Sequence, residues 1–179
     1  MKFHSQFSEI EQAILEARAK RIATVASKDL DEKIITALVI GVGSEAYALP
    51  IDSLKTVHEN INIVSVPCVP SYIAGIANIR GHIIPVLNLG ILMYGSEVTT
   101  DERNALIEVT NDTMTVAFLV EAVGEITSFS ASALSPVPTE TEGRRTEYLE
   151  GIFPDGTGLI NVQTILDDKA LTIAEHVQH

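Results

Sequence analysis

Residues 61–89 read INIVSVPCVPSYIAGIANIRGHIIPVLNL, and they belong to the least charged part of the chain. From residue 60 to residue 96 there is no Asp, Glu or Lys, and Arg80 carries the one formal charge. Proline, asparagine and glycine interrupt the apolar residues too often for a membrane-spanning helix. The composition is typical of a connector that packs between two parts of a folded protein.

The pattern changes along this connector. Two prolines interrupt residues 61–70, and because proline cannot donate to a β ladder or continue a helix, we expect an extended strand or loop there. Residues 71–77 begin with serine after a proline, which predicts a short helix. A strand is expected over 82–89, where Pro85 requires an edge or bulge position.

Two segments on either side of the connector resemble each other. Residues 48–57 read ALPIDSLKTV and residues 117–126 read AFLVEAVGEI, with apolar matched to apolar and acid matched to acid. The strands predicted before them agree as well, so each copy consists of a strand, a tight turn, a second strand, an acid and a third strand. We therefore expect two related β lobes, one around 34–60 and the other around 103–130.

The first part of the chain has a different pattern. Residues 8–11 read SEIE, the spacing of a capping box, and apolar residues follow at helical intervals, which predicts a helix over 7–26. A charged link over 28–33 follows. Beyond it β-branched residues dominate and turn residues recur every ten or so positions, so the fold class is mainly β with an N-terminal α-helix. We expect this helix to pack on a lobe; a pathway-specific contact or a dimer seam is the alternative.

The chain of 179 residues is acidic, with 12 Lys and Arg against 24 Asp and Glu and a formal net charge of −12. Residues 1–33 are neutral, so the acidic excess belongs to 34–179. Nucleic acids and anionic membranes require basic surfaces, so the charge favours proteins as partners. The single cysteine, with no secretory signal or membrane-spanning stretch, predicts a cytoplasmic protein without direct membrane insertion.

The residue patterns do not predict an enzyme. Residues 41–46, GVGSEA, superficially fit a dinucleotide-binding fingerprint, but a strand is expected to follow them, so a hairpin turn is the better interpretation. Cys68 lies among apolar residues without a neighbouring cation, which predicts a buried structural thiol. His176 and His179 have ligand-like spacing, but at an acidic carboxyl terminus. We predict no catalytic, metal-binding or cofactor-binding residues.

The connector also resembles the segment that identifies CheW-like chemotaxis adaptor domains, whose core reads N-x-R-G-x-x-x-P. The residues that fall on this core are Asn78, Arg80, Gly81 and Pro85. Residues 148–151, YLEG, are similar to the family's Y-[IL]-x-G. The resemblance divides the chain into a helical extension and linker over 1–33, a CheW-like domain over 34–168 and a tail over 169–179.

The resemblance implies a fold and a function. The fold would be two packed, interleaved lobes, each a five-stranded β barrel resembling an SH3 domain. Such adaptors are non-catalytic, need no cofactor, and couple transmembrane chemoreceptors to a CheA-type histidine kinase. One lobe edge pairs with the kinase's regulatory domain, and a groove between the lobes accepts the receptor's helical hairpin tip, which would recruit the protein to receptor arrays. The positions matching the receptor-contacting surface are Leu54, Val57, Gly75, Asn78 and Arg80, with Ile76 nearby.

Two alternatives to this function are the same module in a type IV pilus twitching system and a small-molecule-binding β-barrel sensor. The role of Arg80 is also open. Many relatives have Glu at the position of Thr56, where it can pair with the arginine inside the protein. Because an unpaired buried charge is costly, Arg80 here needs another acceptor, such as a carbonyl or Glu59, unless it is free to bind a partner.

Overall fold

The computed structural model describes residues 33–95, 104–138 and 146–168. In this part of the chain two β-sheets contain most of the residues, and two short helices each follow a strand. The predicted helix over 7–26, most of the charged link and the two C-terminal histidines lie outside the described residues. The elements are β1 (Ile34–Val42), β2 (Glu45–Pro50), β3 (Leu54–Glu59), β4 (Ile63–Val64), β5 (Ile73–Ile79), β6 (His82–Asn88), α1 (Leu89–Tyr94), β7 (Ala105–Thr110), β8 (Thr115–Val120), β9 (Ala122–Ser130), β10 (Leu149–Ile152), β11 (Gly158–Ile160) and α2 (Val162–Asp167).

Both predicted strand triplets are present, but their third strands are exchanged. β1 and β2 form one antiparallel hairpin, and β7 and β8 form another. The third strand of the first triplet, β3, pairs with β7, whereas the third strand of the second triplet, β9, pairs with β1. The lobes expected around 34–60 and 103–130 are therefore interleaved, since each sheet contains a strand from the other copy.

Each sheet closes on itself. The sheet ordered β10-β11-β2-β1-β9 closes where Ser135, just after β9, exchanges two backbone hydrogen bonds of 2.9 Å with Ile152 of β10. The other sheet is ordered β3-β7-β8-β6-β5-β4, and its two outer strands are consecutive in the chain, separated by a turn at Asn60 with φ of 55°. β3 and β4 therefore act as one bent strand, and the predicted pair of five-stranded lobes is confirmed.

A second repeat relates the β5–β6 pair to the β10–β11 pair. The N–H of Asn88 donates to the carbonyl of Tyr72, and the N–H of Asn161 donates to the carbonyl of Tyr148, both at 2.8 Å. Each asparagine side chain then caps a helix by accepting from the N–H three residues on, at 3.1 Å for α1 and 2.9 Å for α2. The internal duplication therefore extends well beyond the two strand triplets.

Two predictions about the connector are wrong. The short helix predicted over 71–77 is instead a turn at 71–72 followed by the start of β5, because ladders to β4 on one side and β6 on the other satisfy the backbone groups of β5. Cys68 is exposed, not buried, because it lies in a turn with φ of 62° while its neighbours Val66 and Val69 take the half-buried positions.

The strand predicted over 82–89 is confirmed as β6. Pro85 lies in the half of this strand that pairs only with β5, because the parallel ladder to β8 begins at Val86. Proline has no N–H to donate, so this placement avoids a broken ladder.

The hydrophobic core lies between the two sheets and within each barrel. The shared cluster includes Leu38 and Ile40 from β1 and Ile107 and Phe118 from the other sheet, all nearly inaccessible to solvent. Smaller clusters fill the two barrel interiors. Among the described residues, no helix has the length and hydropathy needed to cross a membrane.

Candidate protein-binding site

The β5–β6 hairpin presents Arg80 at its tip. Ile79 pairs with His82, so Arg80 and Gly81 form a two-residue turn, and both have positive φ angles, 53° and 89°. This is the backbone of a type I′ turn, whose twist matches that of the strands it joins. The Oδ1 of Asn78 accepts from the N–H of Gly81 at 2.9 Å, which stabilises the turn. Arg80 is thus exposed on a well-defined hairpin.

An apolar groove lies beside this hairpin. It has a volume of about 360 Å³. The side chains that line it from the hairpin are Ile73, Ile76, Ile83, Pro85 and Leu87, and Met114 and Leu166 approach from the β7–β8 loop and α2. Ile83 is 61% exposed, a high fraction for an isoleucine. A solvent-exposed apolar groove of this kind can hold the apolar face of a partner's helix.

A polar cleft of about 300 Å³ adjoins the groove, and Ile83 and Thr115 line both. At its base the carboxylate of Glu108 is almost completely buried. Lys55 Nζ donates to Glu108 Oε1 at 2.5 Å, and His58 Nε2 lies 3.2 Å from Glu108 Oε2. Burial acts to raise the pKa of Glu108, but the hydrogen bonds from Lys55 and His58 outweigh it, so the pKa lies below its ordinary value. Glu108 is therefore a charged, fully paired group.

Arg80 lines the polar cleft but does not take part in its ion pairs. Both ion pairs found among the described residues go to Glu108, and neither Arg80 nor Glu59 belongs to them. Thr56 lies directly opposite Glu108 in the β3–β7 register. The carboxylate near this position therefore belongs to Glu108 on the neighbouring strand, and a lysine already neutralises it. Within the described part of the chain, the guanidinium of Arg80 has no ion-pair partner.

The other residues predicted at the receptor surface fall into two groups. Ile76 and Asn78 share the outer face of the hairpin, opposite Pro85 and Ile83 respectively. The second group is less accessible. Leu54 and Val57 are half-buried and pack against the shared core, and Gly75 is buried within β5.

Gly75 is glycine for a packing reason. Its φ is 149°, and a Cβ built on it would lie 2.2 Å from the carbonyl oxygen of Val64. β4 can therefore pair closely with β5 only when residue 75 has no side chain. The backbone of Gly75 sets the shape of the hairpin next to the groove.

Several residues that line the apolar groove and the polar cleft were not predicted from the sequence. Ile83 and Pro85 alternate along β6, so the period of two in HIIPVLN could have placed them on one face. Met114, Leu166 and Glu108 gave no such signal, because they reach the site from a loop, a helix and a strand that are far away in sequence.

The fold and the groove define a class of protein, a module of two interleaved β barrels with an apolar groove and a lone arginine beside it. Among the described residues there is no group of three or more His, Cys, Asp or Glu side chains that could hold a metal ion. The family model that describes the CheW-like domain matches residues 36–174 of this sequence. Since this is most of the sequence, the chain belongs to the CheW-like domain family, and it is an adaptor of the chemotaxis type.

Individual relatives agree with this assignment. The chain is 24% identical over 143 residues to the chemotaxis protein CheW of Klebsiella aerogenes, covering 78% of this chain and 86% of the relative. It is 23% identical over 146 residues to the chemotaxis protein CheW of Helicobacter pylori, covering 81% and 87%. Among solved structures, the scaffolding protein TtCheW from Thermoanaerobacter tengcongensis is similar with a TM-score of 0.67 and 25% identity, covering 77% of this chain and 96% of that one.

Proposed function

We propose that this protein is a non-catalytic adaptor that binds the cytoplasmic hairpin tip of a chemoreceptor and the regulatory domain of a CheA-type histidine kinase. The observation that carries the proposal is the exposed apolar groove beside Arg80, on a fold that belongs to the CheW-like family. By binding both partners at once, the adaptor lets the receptor's signalling state change kinase activity. It acts in the cytoplasm, at receptor arrays.

The groove has the chemistry needed for a receptor helix. Ile76 and Ile83 offer apolar side chains on an edge that faces solvent, and burying them against a helix recovers roughly 25 cal/mol for each Å² removed from water. Arg80, which lines the adjoining polar cleft, adds a planar fork of donors suited to a carboxylate or to the carbonyl groups at a hairpin tip. The apolar residues supply affinity and Arg80 sets the register of the bound helix.

The kinase occupies a different surface in this proposal. By likeness to the family, we propose that its regulatory domain binds a lobe edge, away from the groove. Receptor and kinase therefore do not compete, and a change in the groove should weaken receptor binding while leaving kinase binding nearly unchanged.

The test is a pull-down of the full chain with the cognate receptor's cytoplasmic fragment and the cognate kinase. Ile83→Asp places a charge in the groove, and we expect it to weaken receptor binding by at least about tenfold, the effect of losing roughly 1.4 kcal/mol. Val64→Asp is the matched control, since Val64 is 55% exposed but does not line the groove. If the unmodified chain retains neither receptor nor kinase, the proposed function is wrong. If Ile83→Asp binds the receptor as tightly as Val64→Asp does, the groove is not the receptor site.

A further inference from the structure

A strip of uncovered apolar side chains crosses the barrel that contains β1 and β9. It consists of Ile34, Val123 and Ile126, which are 53%, 38% and 65% exposed. We call these three residues the β9 strip. They are separated in the fold from the groove, which is lined by the other barrel, the β7–β8 loop and α2.

The β9 strip continues the core toward solvent. Ile126 pairs with Leu38 and Val123 pairs with Ile40, and residues that face each other across two strands share one face of the sheet. Leu38 and Ile40 are buried in the shared core, 5% and 1% exposed. This face of the sheet is therefore buried in the core over β1 and exposed to solvent over β9.

We propose that residues 7–26 of this chain form an amphipathic helix that covers the β9 strip. The covering segment reaches the strip through the chain itself, because Ile34 is both the first residue of β1 and a member of the strip. Ile34 pairs with Ser130, the last residue of β9. A segment that enters at Ile34 can thus run back along β9 toward Val123.

The lengths agree with this arrangement. A helix of 20 residues rises about 30 Å, and the nine residues of β9 extend over about 30 Å. The seven residues 27–33 connect this helix to β1 and reach at most about 25 Å. The link is therefore long enough for the helix to lie along the strand, and short enough to keep the helix close to it.

The chemistry of the segment also agrees. Ile10, Ile14 and Ala17 recur at helical spacing, so they form a stripe that would face the β9 strip. Residues 1–33 have no net charge, whereas residues 34–179 hold the whole acidic excess, so the segment can approach the barrel without net repulsion.

Disulfide trapping in the full-length protein tests the proposal. Cys68→Ser removes the native exposed thiol, and Ile126→Cys provides one partner on the strip. The second cysteine is introduced one at a time on the predicted apolar stripe or on the opposite, polar side of the helix. The stripe variants are Ile10→Cys, Ile14→Cys and Ala17→Cys, and the controls are Gln12→Cys and Glu16→Cys.

We expect at least one stripe variant to form an intramolecular disulfide about tenfold faster than either control, because a docked helix raises the effective concentration of one thiol at the other. Equal rates on the two sides of the helix would overturn the proposal. Disulfides that form only between molecules would also overturn it, since the strip would then bind a second copy.

Hydrogen exchange provides an independent measurement without new cysteines. Ile126→Asp should make the backbone amides of residues 7–26 exchange about tenfold faster, because the helix loses its docking surface. Ile83→Asp is the matched control, an isoleucine of similar exposure on the other barrel, and should leave those amides unchanged. If neither substitution changes exchange in residues 7–26, the strip does not hold this segment.

Discussion

Replacement of Gly75 by alanine should destabilise the protein by about 2–5 kcal/mol. The residue has φ of 149°, a conformation that costs an L-amino acid roughly 1–3 kcal/mol. Its new Cβ would lie 2.2 Å from the carbonyl oxygen of Val64, and relieving such an overlap costs a further 1–3 kcal/mol or so. Alanine has less conformational freedom than glycine in the unfolded chain, and this offsets only about 0.4–1 kcal/mol of the destabilisation.

Two other glycines separate these contributions. Gly43 has φ of 61° and nothing within 4 Å of a built Cβ, so Gly43→Ala should show conformational strain alone, about 1 kcal/mol. Gly151 has no positive φ, but a Cβ there would lie 2.6 Å from both Leu134 Cγ and Ser135 O. Gly151→Ala should therefore show the effect of close approach alone, roughly 1–3 kcal/mol.

The assay is urea denaturation followed by far-UV circular dichroism, since the chain has no tryptophan. For a protein of this size each kcal/mol corresponds to about 2–4 °C, so Gly75→Ala should also lower the melting temperature by roughly 10 °C. A Gly75→Ala variant as stable as Gly43→Ala would refute the reasoning. The close contact between β4 and β5 would then be soft, and the glycine at position 75 would need another explanation.

Three further predictions concern the site and its surroundings. Arg80→Glu should weaken receptor binding by about 1–2 kcal/mol in calorimetric titration while the circular dichroism spectrum stays native, whereas Lys33→Glu, the same charge change elsewhere, should have little effect. Burial acts to raise the pKa of Glu108, but the hydrogen bond from Lys55 helps to keep this pKa below its ordinary value. The Glu108 carboxylate therefore stabilises the fold at neutral pH, and this stabilisation is lost as the pH falls through its pKa. Glu108→Gln should therefore flatten the dependence of the urea midpoint on pH in the acidic range, and an unchanged slope would contradict the assignment. Tyr94→Phe should cost about 1 kcal/mol in the same assay, because the Tyr94 hydroxyl joins α1 to side chains of β2.

The duplication was visible in the sequence only where apolar and acidic positions align, over 48–57 and 117–126. The second repeat was hidden because its two hairpins differ in length, since Asn88 lies thirteen positions after Gly75 but Asn161 only ten positions after Gly151. What the two halves share is a pattern of hydrogen bonds from asparagine to a tyrosine carbonyl, which spacing in the chain does not reveal.

The two errors in the connector have different physical origins. Local preference favours a capped turn of helix after Pro70, yet residues 73–79 gain backbone partners on both sides by joining a sheet. Apolar neighbours suggest a buried cysteine at position 68, but the residue lies in a turn with a left-handed backbone conformation, and its side chain is exposed. Long-range pairing outweighs local preference over residues 73–79, whereas a local turn decides the exposure of Cys68.

The sequence alone determined the mainly β class, the repeat of strand triplets and the family motif around Arg80, because these depend on residue type and spacing within short segments. Tertiary structure decided the exchange of β3 and β9 between lobes, the groove that Ile83, Met114 and Leu166 form together, and the pairing of Glu108 with Lys55 and His58. It also left Arg80 outside those ion pairs. Each of these features joins residues that are distant in the chain, and only the closing of the barrels brings their atoms within contact distance.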